Sequence, residues 1–250
     1  MVSWISPSRY SLAVASSGFL RSLRWGSFLI AYEDEADIEE LATLLAVESH
    51  TPGESRPIVK ARQLPASDPD MEPFLKYIRN TVKETNLVFH SANISKLYNS
   101  IMLATALNMT APPFSYFFMF TDFVLLDEFL LNVYGGVTCN ISTLMVVQSH
   151  PVIKTELALA AEGVFALGKG LWSEVSRDPY DNPVVPMPLL CESPTDVWPH
   201  GPDISRAVRQ SEQIGHYTGD VRFTSKGHRD NPNIKGIARI SKKFIELFAC

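Results

Sequence analysis

Phe28-Leu29-Ile30-Ala31-Tyr32 is an unbroken apolar run with the length of a buried parallel strand. Ile38, Leu41, Ala42 and Leu45 follow it at spacings of i, i+3, i+4 and i+7, which puts them on one face of a helix. The alternation then repeats. Residues 57–64 predict a second strand, ended by Pro65, and Met71, Phe74, Leu75, Ile78 and Val82 form another helical stripe. Residues 86–89 predict a third strand. Leu97, Ile101, Ala104 and Leu107 predict a helix stopped by Pro112-Pro113, and the aromatic run 114–120 a fourth strand. Strands alternating with helices in this way predict an α/β protein, a parallel sheet flanked by helices on both faces.

After Gly135-Gly136 the rhythm changes. Residues 137–148 predict one more strand and 154–175 one long helix, despite Gly163, Gly168 and Gly170. Each internal glycine costs about 1 kcal/mol against alanine, so these three mark either close packing or a weak helix. Residues 178–202 contain seven prolines and predict a loop. Residues 203–213 predict a short polar helix. Residues 219–223 predict a strand that meets a turn at Ser225-Lys226-Gly227. No element is assigned after Arg229, and there is no internal repeat or low-complexity tract.

The 250 residues are 46% hydrophobic and 20% charged, which is globular composition. A net charge of -5 speaks against a phosphate-tracking surface. The small cluster Lys235, Arg239, Lys242 and Lys243 reads as a solvated face, so no nucleic-acid partner is expected. The longest apolar region, 114–137, is interrupted by Asp122, Asp127, Glu128 and Asn132 and does not supply the roughly 20 apolar residues of a membrane span. Residues 1–25 lack the compact apolar core and small-residue cleavage site of a signal peptide. Cys139, Cys191 and Cys250 form no CxxC pair, so no zinc site is expected. If the chain is secreted, their odd number leaves at least one thiol without an internal partner.

The motifs of catalysis are missing. The turn after the first strand would be Glu33-Asp34-Glu35-Ala36-Asp37, which has no glycine and sets four carboxylates where a dinucleotide fold holds its phosphates. Gly168-Lys169-Gly170 lies within a helical pattern and lacks P-loop spacing. There is no Gly-x-Ser-x-Gly elbow. The six histidines (His50, His90, His150, His200, His216, His228) never stand at metal-binding spacing, and Asp127-Glu128 reads as surface charge rather than an acid/base pair. No catalytic residue, metal or cofactor is expected. Three N-x-S/T sequons remain, at Asn93, Asn108 and Asn140. The triplet is short enough to arise by coincidence, and its functional reading is a secreted glycoprotein.

A series of short segments in order carries a resemblance. Ser6-Pro7-Ser8, a helix, and Leu23-Arg24-Trp25-Gly26-Ser27-Phe28 run into Tyr32-Glu33-Asp34. Lys60-Ala61-Arg62-Gln63-Leu64-Pro65 and the helix from Met71 follow, then Phe117-Phe118-Met119-Phe120-Thr121, then Tyr134-Gly135-Gly136-Val137 near Asn140. Late in the chain stand Cys191, Trp198-Pro199-His200-Gly201, Gly215-His216-Tyr217-Thr218-Gly219, Val221-Arg222-Phe223 and Lys226-Gly227-His228-Arg229-Asp230-Asn231. This series, over about residues 6 to 231, resembles the amino-terminal domain of ionotropic glutamate receptors, closest to the kainate type.

The resemblance implies a type-1 periplasmic-binding-protein clamshell, two α/β lobes joined by several crossings. It implies that residues 6–153 are a second-lobe α/β unit, 154–218 a remnant of the first lobe plus a loop, and 219–250 return strands with a poorly matched end. The chain would thus be a non-enzymatic ectodomain fragment of a glutamate-gated cation channel, without the ligand-binding domain or channel helices. Implied partners are other glutamate receptor subunits, in dimers and tetramers, and synaptic contacts. Glutamate would bind only in the absent domain, and the membrane would be reached only through the parent receptor. The implied location is the extracellular, postsynaptic face of the plasma membrane. Asn93, Asn108 and Asn140 would carry glycans. Cys191 usually bridges to a first-lobe cysteine in this family, and that partner is outside this chain. The 154–175 helix would then expose apolar positions with no sheet to cover. Alternatives are another clamshell protein, such as a receptor guanylate cyclase ectodomain or a solute-binding protein, and a cytosolic α/β enzyme. The joint presence of Arg62-Gln63-Leu64-Pro65 and Gly215-x-x-Thr218-Gly219 favours the glutamate receptor.

Overall fold

A computed structural model describes residues 4–34, 38–46, 55–91, 93–120, 137–146, 154–177, 180, 183–185, 198–212, 215, 217–230, 232, 234–240 and 243–249. The chain divides into two compact units, one of residues 9–147 and 233–250, the other of residues 1–8 and 148–232.

The first of these, the sheet unit, is the α/β structure expected. Its strands are β2 (Ser27–Tyr32), β3 (Ile58–Gln63), β4 (Asn86–Ser91), β5 (Ser115–Phe120) and β6 (Asn140–Val146), with helices α1 (Arg9–Ser22), α2 (Ile38–Leu45), α3 (Met71–Tyr77) and α4 (Ile94–Ala106). The five strands are all parallel, in the order β3-β2-β4-β5-β6. A hairpin of β9 (Ile234–Ile240) and β10 (Lys243–Ala249) extends the sheet antiparallel to β6. The winding runs outward from β2 to β3, then reverses past β2 to β4. With right-handed crossovers, such a reversal sends successive helices to opposite faces. Helix α1 accordingly packs with α2, and α3 with α4.

Covering both faces explains the continuous apolar runs. Leu29, Ile30, Leu87, Val88 and Phe117 are all fully buried. Strand alternation sorts the aromatics. Phe117 stacks on Phe19 of α1 with ring centroids 5.2 Å apart. On the other face, Tyr116 and Phe118 stack at 6.0 Å, and both approach Phe89. The β3 edge is more open and carries Lys60 and Arg62, charges that discourage edge-to-edge pairing.

Helix α3 is shorter than its apolar stripe predicts. After Tyr77 the backbone widens into a π-helical segment, Ile78–Val82, ended by Lys83 in the left-handed conformation (φ 54°). The buried carboxylate of Glu84 then accepts from the Thr85 and Asn86 amides and pairs with Lys60 at 3.2 Å, which fixes the entry into β4.

The second unit contains β1 (Trp4–Pro7), α5 (Thr155–Arg177), α6 (Gly201–Gln210), β7 (Arg222–Phe223) and β8 (His228–Asp230). Strand β1 pairs in parallel with β8, and β7 pairs antiparallel to β8. Helices α5 and α6 pack through Ala166, Ile204 and Val208. The three glycines of α5 now separate. Nothing lies near a side chain built at Gly163 or Gly168, whereas a Cβ at Gly170 would lie 2.8 Å from Val208 N and 2.9 Å from Val208 Cα. Gly168→Ala should therefore stabilise the protein by up to about 1 kcal/mol. Gly170→Ala should destabilise it, because α6 must move away. Urea midpoints shifting in the same direction for both variants would refute this distinction.

Candidate functional site

In an open parallel sheet, ligands bind beyond the carboxyl ends of the strands, where the winding reverses. That place is between β2 and β4. Glu33 directly follows β2, Ser91 ends β4, and Asn93 and Lys96 open α4. The Asn93 side chain accepts from the Lys96 amide at 3.1 Å, capping the helix. Ser91 Oγ accepts from the Asn93 amide at 2.9 Å and donates to the Glu33 carboxylate. Lys96 Nζ stands 3.2 Å from Glu33 Oε1 and is nearly buried.

The cluster is electrostatically closed. A cation in the first turn of a helix opposes the helix dipole, and Glu33 neutralises it. Partial burial pushes the Glu33 carboxyl up. The Ser91 hydroxyl, the Lys96 ammonium and the Asn93 amide outweigh that and hold it below its ordinary value. A helix N-terminus of this kind is where α/β folds hold a phosphate. Here the chain's own carboxylate takes that place. Asp34 is exposed beside it; Glu35 and Asp37 lie outside the described residues.

A carboxyl depressed in the folded state contributes stability that is complete above the ordinary glutamate range and is lost as pH falls through the folded value. Urea midpoints of the native chain should therefore drop on acidification below that range. Glu33→Gln should lower stability at neutral pH, by leaving Lys96 unpaired, and should show a shallower acid decline. Equal acid slopes in the two proteins would remove Glu33 from this role.

A second polar cluster lies in the other unit. Arg229 of β8 and Glu162 of α5 are both buried and pair at 3.4 Å. Glu162 also accepts from the Tyr217 amide (3.0 Å), the Thr218 amide (2.6 Å) and the Thr218 hydroxyl. Arg229 donates to Thr218 Oγ1 (2.7 Å) and to the carbonyls of Thr218, Gly219 and Asp220. Burial pulls the guanidinium pKa down, against the opposing pull of Glu162 and Asp220. Gly219 has φ 82°, which favours glycine. A side chain on Gly215 would collide with the Gly219 carbonyl and the Glu162 carboxylate. Gly215, Thr218, Gly219 and Arg229 are thus the parts of one lock that ties residues 215–220 to α5.

The sequence reading singled out the glycines and Arg229 without giving them a task, and it missed Glu162. A signal was available: Glu162 falls on the helical stripe Thr155, Ala158, Leu159, Glu162, Ala166, Gly170, all buried. A carboxylate on a buried stripe requires a partner.

The sequon asparagines are all exposed. Asn93 caps α4. Asn108 is left-handed (φ 56°), in the turn after α4. Asn140 opens β6. Their hydroxyl residues differ: Ser95 is exposed, whereas Thr110 and Ser142 are buried. Cys139 is buried just ahead of β6. Cys191 and Cys250 lie outside the described residues, as do Asp127, Glu128, His50, His150 and His216. His90 is buried in β4. Among the described residues no group of three or more His, Cys, Asp or Glu could hold a metal ion, and no helix is long and apolar enough to cross a membrane. No protein-family profile and no curated protein matches the chain.

Proposed function

We propose that the chain is a non-catalytic receptor ectodomain unit, part of the amino-terminal extracellular domain of a kainate-type ionotropic glutamate receptor subunit. Its role in this reading is subunit pairing and contact with synaptic partners. The channel and the glutamate site belong to other domains of the parent receptor. Asn93, Asn108 and Asn140 carry glycans, and Cys191 bridges to a cysteine outside this chain.

The ordered series of matches between Ser6 and Asn231 carries the reading. Three structural observations support it. The chain passes between its two units three times, after Ser8, Val147 and Pro232, as a clamshell with several crossings requires. The late matched residues Gly215, Thr218, Gly219 and Arg229 converge on one buried network. The sheet's switch point is filled by the Glu33–Lys96 pair, which suits a structural role better than phosphate chemistry.

Helix α5 exposes Leu157, Val164, Phe165, Leu167, Leu171, Trp172 and Val175. Large exposed apolar patches mark interaction surfaces or aggregation hazards, and in this reading the rest of the ectodomain covers them. The chain purified alone should therefore self-associate in sedimentation experiments. A monodisperse monomer with a sharp cooperative melt would count against it.

The deciding experiment is an immunoblot of native tissue with an antibody to residues 60–80, with and without N-glycosidase. A band of full receptor size that shifts on treatment supports the proposal. A band near 27.9 kDa that the enzyme does not move would withdraw the receptor role.

A further inference from the structure

We infer that Asn93 serves two purposes: its Oδ1 caps α4, and its Nδ2 carries an N-glycan that stands over the sheet's switch point and closes it to ligands. The inference rests on the secreted-glycoprotein reading above and assigns a specific consequence to one of its three sequons.

The two uses of the side chain are chemically compatible. The cap requires only the amide oxygen, which accepts from the Lys96 amide. Glycan transfer uses the nitrogen. Nδ2 attacks the anomeric carbon of a lipid-pyrophosphate-linked oligosaccharide, the N–C bond forms, the C–O bond to pyrophosphate breaks, and one amide hydrogen leaves as a proton. The other amide hydrogen and the carbonyl remain, so the cap survives modification. Asn93 and Ser95 are both exposed on the finished fold. At the other two sequons the hydroxyl residue is packed inside: the Thr110 carbonyl accepts from Thr138 and Cys139, and Ser142 Oγ donates to the Tyr116 carbonyl. Thr110 and Ser142 are buried once the sheet forms, so Asn108 and Asn140 must be modified before it does, whereas the Asn93 sequon stays open on the finished fold.

Position gives the glycan its effect. The Asn93 amide donates to Ser91 Oγ, which donates in turn to Glu33. The sugar is therefore rooted one hydrogen-bonded residue away from the Glu33–Lys96 pair, at the place where open sheets receive ligands. A branched oligosaccharide there excludes bulky molecules from the carboxyl edge around Glu33 and Asp34.

Ser95→Ala tests this, since it abolishes the sequon and keeps both the Asn93 cap and an exposed small residue. Glycopeptides are first mapped on the native protein, captured with the antibody to residues 60–80. Asp34→Cys, alone and combined with Ser95→Ala, is then made in the full chain placed behind a cleavable secretion signal and secreted from animal cells. Labelling of residue 34 by a polymer-linked maleimide is read by peptide mass spectrometry. The expected result is a glycan on Asn93 and labelling that quickens several-fold when Ser95→Ala or glycosidase removes it, with a small maleimide reacting equally in both. Asn93 bare while Asn108 or Asn140 is modified overturns the inference and leaves the ectodomain reading standing. A glycan on Asn93 with unchanged labelling overturns the closure. No sugar at any of the three overturns both.

Discussion

Glu162→Ala is expected to lower the stability of its unit by about 3–5 kcal/mol, the usual cost of stripping one partner from a buried ion pair. Three losses coincide. Arg229 keeps its charge in a site from which water is excluded, the Tyr217 and Thr218 amides lose their acceptor, and the Thr218 hydroxyl loses its own. Total stabilities of domains are about 5–15 kcal/mol, so this is a large share. Amide exchange at residues 217–220 should accelerate first, because these residues reach α5 through the carboxylate. Replacing both partners, as Glu162→Met with Arg229→Leu, should recover much of the loss, since no buried charge is then left alone. If the double variant is as unstable as Glu162→Ala alone, the pair is not the source of the effect.

The second large effect belongs to the other unit. Phe117→Ala should cost about 3–5 kcal/mol. Phe117 is fully buried on β5, flanked in the sheet by β4 and β6, and its ring stacks on Phe19. The Phe19 ring also lies against Gly236 of β9, where a Cβ would strike it. With Phe19 held there, the site has little room to collapse around the cavity, and the cost should lie toward the upper end. Unfolding in urea followed by Trp25, which packs against this core beside Phe28, reads the change. A shift below about 1 kcal/mol would mean that the space is refilled and that the two rings do not bear on each other as described.

Much of the sheet was legible because both of its faces are covered. Burial on two sides writes strands as solid apolar runs, and β2, β4 and β5 stand where those runs are. The end of α3 was not legible. The stripe from Met71 to Val82 continues through the π-helical segment, since apolar spacing records which side is buried and not which carbonyl each amide chooses. Strand β1 gave no signal either. Four residues ending in proline acquire strand structure only by pairing with β8, Trp4 against His228. The hairpin β9–β10 mixes Lys235, Gly236 and Arg239 into its first strand and lies next to β6 for tertiary reasons. The same limit governs the polar clusters. Acids after β2 were visible as a phosphate-repelling turn, but that Glu33 would find Lys96 depended on β2 and β4 being neighbours. Glu162 and Arg229 are 67 positions apart, and only the fold brings them together.

The three passages of the chain between its units set an order of events during synthesis. When the ribosome has delivered β1, its partner β8 has not yet been made, and neither have the helices of the same unit. The five parallel strands can assemble next, but until β9 arrives β6 remains an unprotected margin of the sheet. The second unit is thus completed only when β8 is made and the sheet unit only when β9 follows, so the nascent chain must hold an open edge and an orphan β1 until residues 228–240 leave the exit tunnel. A premature stop shortly before Ile234 would spoil the larger unit although the lesion removes none of its parallel strands, and the product would be a substrate for chaperones and proteases.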